Sequence, residues 1–198
     1  MLFRSATRGD IVVVTINYRL GALGFCDLAG HLGDDFATCG INGTLDQLAA
    51  LQWVHENIEA FGGDPGRVTI GGESAGAFSV TNMLAMSAAD GLFHRAIAQS
   101  GAAHHTFDPD DGREIAGSFL NQLGGPSADD LMSMDVKRIL EAAEKVAEES
   151  GQQTGRSQEP VYPVWGHEAL PDEIGRASWR ERVYISVVDV SLKKKVNK

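Results

Sequence analysis

A strand that runs into a helix with no linker leaves a chain few folds to adopt, and residues 67–86 read that way. Arg67-Val68-Thr69-Ile70 is a short apolar strand. Gly71-Gly72-Glu73-Ser74-Ala75-Gly76 follows without a spacer, and 77–86 then reads as a small-residue helix carrying Phe78, Val80, Met83 and Leu84. Arg95-Ala96-Ile97-Ala98-Gln99 reads as the next strand, closed by Ser100-Gly101. Upstream, 11–18 is β-branched and apolar on both faces, the pattern of a strand buried inside a parallel sheet. Strands alternating with helices predict an α/β fold, a mostly parallel sheet with flanking helices.

The spacing of Leu48, Leu51, Val54 and Ile58 predicts a helix over 45–59, with Thr44 or Asn42 as its N-cap and Gly62-Gly63-Asp64-Pro65 as its stop. Residues 27–43 read as a loop rich in Gly and Asp. Asp108-Pro109-Asp110-Asp111-Gly112 reads as another loop, followed by amphipathic, acidic helices over 113–123 and 131–149 and a polar linker over 151–159. These later helices form a cap or insert region over about 108–160, beside a core at 11–103.

Charge narrows the function classes. Seventeen Lys and Arg stand against 27 Asp and Glu, a net charge of −10, whereas a nucleic-acid binder shows a basic face. The longest apolar run, at 11–14, is far below the roughly 20 residues of a membrane helix. The opening eight residues lack an apolar run of signal-peptide length, and localisation is unreadable. Cys26 and Cys39 are either two free thiols or one short bridge, not a disulfide framework. The charge changes sign at the end: 176–198 holds seven basic and two acidic residues, which marks a boundary.

Gly72-Glu73-Ser74-Ala75-Gly76 has the Gly-x-Ser-x-Gly form, in the strand-then-helix context that gives that form meaning. The turn must be sharp, so that the Ser74 hydroxyl stands exposed at the carboxyl end of the strand. The helix N-terminus adds partial positive charge there, and the Ala75 N–H is free to donate to an oxyanion. A serine nucleophile also needs a general base and a group to orient it. Among the histidines, His55 sits within a helix and His94 precedes a strand, at the wrong end of the sheet. His104 and His105 follow Ser100-Gly101 and could line the crevice.

The chain resembles the type-B carboxylesterase family of α/β-hydrolases. The likeness runs almost unbroken over residues 11–103. It covers the strand and turn at 13–25, Gly43-Thr44-Leu45-Asp46-Gln47, and Ala50-Leu51-Gln52-Trp53-Val54 with Asn57-Ile58. It continues through Phe61-Gly62-Gly63-Asp64-Pro65, the serine motif with its lead-in at 68–76, and 93–101. Pro163-Val164 and Ala169-Leu170-Pro171 resemble a later landmark more faintly, and Gly166-His167 departs from the Asp-Gly expected there.

The resemblance implies that Ser74 is the acylated nucleophile and that Ala75 supplies an oxyanion-hole amide. Glu73 lies beside the nucleophile, and Ser100 resembles a second serine behind the triad. Arg19 and Asp46 match a buried ion pair whose rupture costs roughly 3–5 kcal/mol. A His-Gly-Gly-Gly-type run is expected before residue 11, and the triad acid and histidine beyond the matched stretch. The fold is then a partial α/β-hydrolase over 1–172, incomplete at both ends. Residues 173–198 resemble translated adapter sequence and are expected to pack without a partner strand. The implied activity is carboxylic-ester hydrolysis of a small-molecule ester through an acyl-enzyme, with no cofactor and no metal, and with little turnover by this piece alone. The alternative is a non-catalytic, cholinesterase-like adhesion or interaction domain, to which an intact serine elbow would be of no use.

Overall fold

The structure, a computed structural model, describes residues 2–101, 106–154, 161–171 and 184–188. Its elements are α1 (Leu2–Gly9), α2 (Gly21–Phe25), α3 (Ala29–Leu32), α4 (Asn42–Asn57), β1 (Thr69–Glu73), α5 (Ala75–Ala85), β2 (Arg95–Gln99), α6 (Pro109–Gln122), α7 (Ala128–Met132), α8 (Val136–Thr154) and β3 (Tyr184–Val188). They fall into two compact units. One is Met1–Ile16, Leu48–His104 and Ile174–Lys198; the other is Asn17–Gln47 and His105–Glu173. No helix among the described residues is long and apolar enough to cross a membrane.

The first unit holds a parallel sheet of order β1-β2-β3. β1 and β2 pair from Thr69↔Arg95 to Glu73↔Gln99, so both strands end at the same level. β2 alternates strictly: Ala96 and Ala98 are buried while Arg95, Ile97 and Gln99 are exposed. The helix between them, α5, packs on both strands and buries Ala77, Val80 and Met83. Small residues at its start let it approach the sheet closely.

Two expectations for this sheet are corrected. Residues 11–18 carry no ladder and lie open, with Ile11 54 % and Val14 43 % exposed. An apolar stretch is a strand only where a neighbour accepts its hydrogen bonds, and no described strand pairs with this one. The second correction concerns the tail. Tyr184–Val188 pairs in parallel with β2, from Arg95↔Tyr184 to Gln99↔Val188. The open edge of β2 offers a ladder, and Ile185, Val187 and Val188 suit a strand.

The second unit is helical. α6 and α8 pack together, and Phe119, Leu120 and Val146 share a core with Cys26, Leu28 and Phe36. Three boundaries differ from the sequence reading for identifiable reasons. Residues 108–112 do not form a loop, because α6 starts at Pro109: the Asp108 carboxylate accepts from the Asp110 and Asp111 amides, and proline suits the first helical position. The helix read at 131–149 is two, α7 and α8. Ser127 and Asp130 form a capping box at the start of α7, and the Asp135 carboxylate accepts from the Lys137 amide at the start of α8. Helix α4 begins at Asn42, three residues ahead of expectation, and Thr44 is buried within it rather than capping it. Replacing Asp108 with Ala is expected to cost about 1 kcal/mol, measured by denaturant unfolding, because two first-turn amides lose their acceptor.

The loop at 27–43 contains α3 and two 3-10 turns, Asp34–Phe36 and Cys39–Ile41. Cys26 and Cys39 are free thiols. Burial pushes the Cys26 thiol up to about 12 and raises that of Cys39 as well.

Candidate active site

A single residue separates β1 from α5. Ser74 has φ 53° and ψ −116°, a region that costs a non-glycine residue about 1–3 kcal/mol. Its backbone is held on both sides. The Ser74 N–H donates to the Gln99 carbonyl at 2.9 Å, which carries the β1–β2 ladder one step further. Its carbonyl accepts from the Ala77 amide at 2.9 Å and the Phe78 amide at 3.2 Å. With amide and carbonyl both engaged, the turn leaves Ser74 exposed, with Glu73 and Ala75 exposed on either side.

Two glycines make room for this turn. A Cβ on Gly72 would fall on the backbone carbonyl of Gly76. A Cβ on Gly101 would lie 2.8 Å from both the Ser74 carbonyl oxygen and the Ala77 Cβ. The strand, the helix and the exit from β2 therefore meet with no space for a side chain. Sequence reading missed the part Gly101 plays, although its place right after Ser100 at the end of the strand was the available signal.

Ser100 follows β2 as Ser74 follows β1, and it too has a positive φ, 55°. Since Glu73 pairs with Gln99, the two strained serines follow at matching ends of adjacent strands. Ala75 opens α5, where a helical N–H has no preceding carbonyl to bond, so its amide is free for an oxyanion beside a positive helix end. The set comprises a hydroxyl, one amide donor and a carboxylate. It suits acyl transfer, and among the described residues no cluster of His, Cys, Asp or Glu could hold a metal ion.

The histidines divide clearly. His94 immediately precedes β2 while Ser74 follows the paired strand, so about six residue steps of strand, or about 20 Å, separate their levels. His31 Nε2 lies 2.8 Å from the Arg113 carbonyl oxygen, within the second unit. His104 and His105 lie outside the described residues.

Arg19 and Asp46 meet in the second unit. The Arg19 Nε donates to Asp46 Oδ2 at 2.8 Å, Nη2 to Oδ1 at 2.7 Å, and the Arg19 amide to Oδ2 at 2.9 Å. The sequence reading expected a mostly buried pair, and this is corrected: the side chains are 49 % and 27 % exposed. Water reaches both heads, so the interaction is worth less than a buried pair. Asp46→Asn is expected to cost about 1–2 kcal/mol in denaturant unfolding. The bonds from the Arg19 side chain hold the Asp46 carboxyl below its usual range. That contribution is complete above the ordinary Asp value, about 3.9, and is lost as pH falls through the lowered one. The gap between wild type and Asp46→Asn should be flat from about pH 7 to 5 and close below about pH 4.

The sequence profile of the Carboxylesterase family matches residues 4–184, nine-tenths of the chain. This chain belongs to the carboxylesterase family. The carboxylesterase match reaches 184, past the start of the tail read at 173–198. The para-nitrobenzyl esterase of Bacillus subtilis (strain 168) is 44 % identical over 143 residues, covering 71 % of this chain and 28 % of that protein. Carboxylesterase 4A of Bos taurus is 44 % identical over 140 residues, covering 70 % and 24 %. Among solved structures, the Geobacillus stearothermophilus carboxylesterase EST55 at pH 6.8 superposes with a TM-score of 0.84 at 36 % identity, over 96 % of this chain and 40 % of that one. The chain thus has part of an α/β-hydrolase fold and spans about a quarter to two-fifths of the length of these relatives.

Proposed function

We propose that this chain carries the nucleophile of a serine carboxylic-ester hydrolase acting on small-molecule esters. The observation that carries the proposal is Ser74 at φ 53° between β1 and α5, with Ala75 at the first position of the helix beside it. In the reaction, the Ser74 Oγ attacks the ester carbonyl carbon, and its proton passes to a base and then to the departing alcohol. The carbonyl oxygen, negative in the tetrahedral intermediate, accepts from the Ala75 N–H. Water then attacks the acyl-enzyme, releasing the acid and restoring the hydroxyl. Glu73, next to the nucleophile in the chain, tunes the pocket, and Ser100, at the matching end of the adjacent strand, is a second serine behind the triad. The base and the acid that orients it come from outside the described residues. A binding or adhesion module has no use for a serine held at this cost, so the strained turn favours the catalytic reading. The partial α/β-hydrolase domain is proposed to span 1–172.

An exchange experiment tests this. Residues 11–101 replace their counterparts in the Bacillus subtilis para-nitrobenzyl esterase, and hydrolysis of a short-chain aryl ester is followed. The folded chimera should turn over, and its Ser74→Ala form should lose about 10⁴-fold or more. A folded but inactive chimera, or one indifferent to Ser74→Ala, overturns the assignment.

A further inference from the structure

We propose that the outer face of α8 joins two copies of this chain as an antiparallel, two-fold symmetric dimer. Val136 and Leu140 are 52 % and 45 % exposed, and Met132, the last residue of α7, is 78 % exposed. Single exposed apolar side chains are ordinary on a protein surface, but three large ones in steps of four form a stripe. Along α8 the stripe continues through Ala143 and Ala147, both partly exposed. From Val136 the steps are four, three and four, the spacing of a coiled-coil seam. The unit's own core takes a different side of the helix, with Ala142 and Val146 buried in it and Ile139 packed against it. Helix α8 is therefore apolar over a wider arc than its own unit covers.

Charge identifies the occupant. One flank of the seam carries Lys137 and Glu144, both exposed and seven residues apart, which puts them on one side of the helix and two turns apart. The other flank, Ile139 and Val146, belongs to the core. In an antiparallel pair each flank meets its own equivalent, so Lys137 of one copy lies opposite Glu144 of the other, and two-fold symmetry makes that contact twice. The seam matches as well. Val136 stacks on Ala147 of the other copy and Leu140 on its Ala143, large against small in each layer. In a parallel pair the charged flank would lie against the partner's core-facing flank, and neither charge would find its opposite.

The alanines let the two helices approach to the roughly 8–10 Å of close helix packing. Within one copy, Lys137 Nζ and Glu141 Oε1 are 3.8 Å apart and both side chains are largely exposed, a contact worth little and readily exchanged. The interface is one helix wide, so the dimer is a weak one. The net charge of −10 on each copy opposes association at low ionic strength, and salt at about 0.15 M screens it.

Sedimentation velocity of the intact 198-residue chain, from about 5 to about 500 µM in about 0.15 M salt, tests the proposal. The wild type should shift from monomer to dimer as concentration rises. Leu140→Glu puts a charge at the centre of the seam, on a side chain that its own unit leaves half exposed. It should weaken association at least about tenfold while keeping the circular dichroism of wild type. Lys137→Glu and Glu144→Lys should each weaken association at least about threefold, and the two together should restore it to within about twofold of wild type. A wild type that stays monomeric at every concentration overturns the proposal. So does association that survives Leu140→Glu, which would place the contact elsewhere on the chain. If Leu140→Glu does not fold, the charge reversals decide: a double variant that associates no better than the single ones overturns the antiparallel dimer.

Discussion

Purified as the 198-residue chain, the protein is expected to hydrolyse a short-chain aryl ester no more than about tenfold faster than its Ser74→Ala variant. The elbow supplies a nucleophile and one oxyanion amide, and a neutral hydroxyl attacks poorly unless a base takes its proton. Within the unit that holds Ser74, the described imidazoles are His55 and His94. His94 sits at the opposite end of the strands, His31 bonds the Arg113 carbonyl, and His55 lies along α4. Losing triad members costs serine hydrolases several orders of magnitude, and the remaining rate depends on a full set of oxyanion donors. Robust turnover abolished by Ser74→Ala would contradict this expectation and make His104 and His105 the residues to replace next. Strong turnover that survives Ser74→Ala would remove the serine from the chemistry altogether.

What the sequence made legible was local. The Gly-x-Ser-x-Gly run between Ile70 and Ala77 encodes a turn that its immediate neighbours enforce, and the structure shows that turn with Ser74 in strained geometry. β2 at Arg95–Gln99 was legible because alanines alternating with larger residues mark one buried face. Residues 11–18 misled because apolarity on both faces reports what a strand requires and not what is there to meet it. The tail misled in the opposite direction: its β-branched residues suited a strand, but the open edge of β2 that pairs with them was not foreseen. Asp108 was read as part of a loop because Asp-Pro-Asp-Asp-Gly serves equally well as a turn or as a helix cap. Only the two amides that bond its carboxylate decide between them. The exposure of the Arg19–Asp46 pair was beyond sequence for the same reason, since pairing follows from residue types and solvent access from the surrounding packing.

The glycines of the elbow should separate into three grades when each is replaced by alanine. At Gly72 the new methyl falls on the Gly76 carbonyl and lies 2.7 Å from its Cα. All the atoms it meets are backbone, fixed on one side by the β1–β2 ladder and on the other by the first turn of α5, so no rotamer change relieves the overlap. Gly72→Ala is expected to cost about 3 kcal/mol or more, through forced separation of strand and helix. At Gly101 the methyl meets the Ser74 carbonyl oxygen and Ala77 Cβ at 2.8 Å and Phe78 Cε1 at 2.9 Å. The Phe78 ring can move and the other two atoms cannot, so about 1–3 kcal/mol is expected. At Gly76 no atom beyond its chain neighbours and its own turn of helix backbone lies within 4 Å of the added methyl, and the residue is inside a helix. There alanine lowers the entropy of the unfolded chain and should be neutral or stabilising by up to about 1 kcal/mol. Denaturant midpoints of the three variants against wild type should rank Gly72→Ala lowest, Gly101→Ala next and Gly76→Ala at or above wild type. A Gly72→Ala variant as stable as wild type would mean that strand and helix are not in the contact that forces Ser74 into its strained geometry, and the case for an activated serine would lose its structural basis.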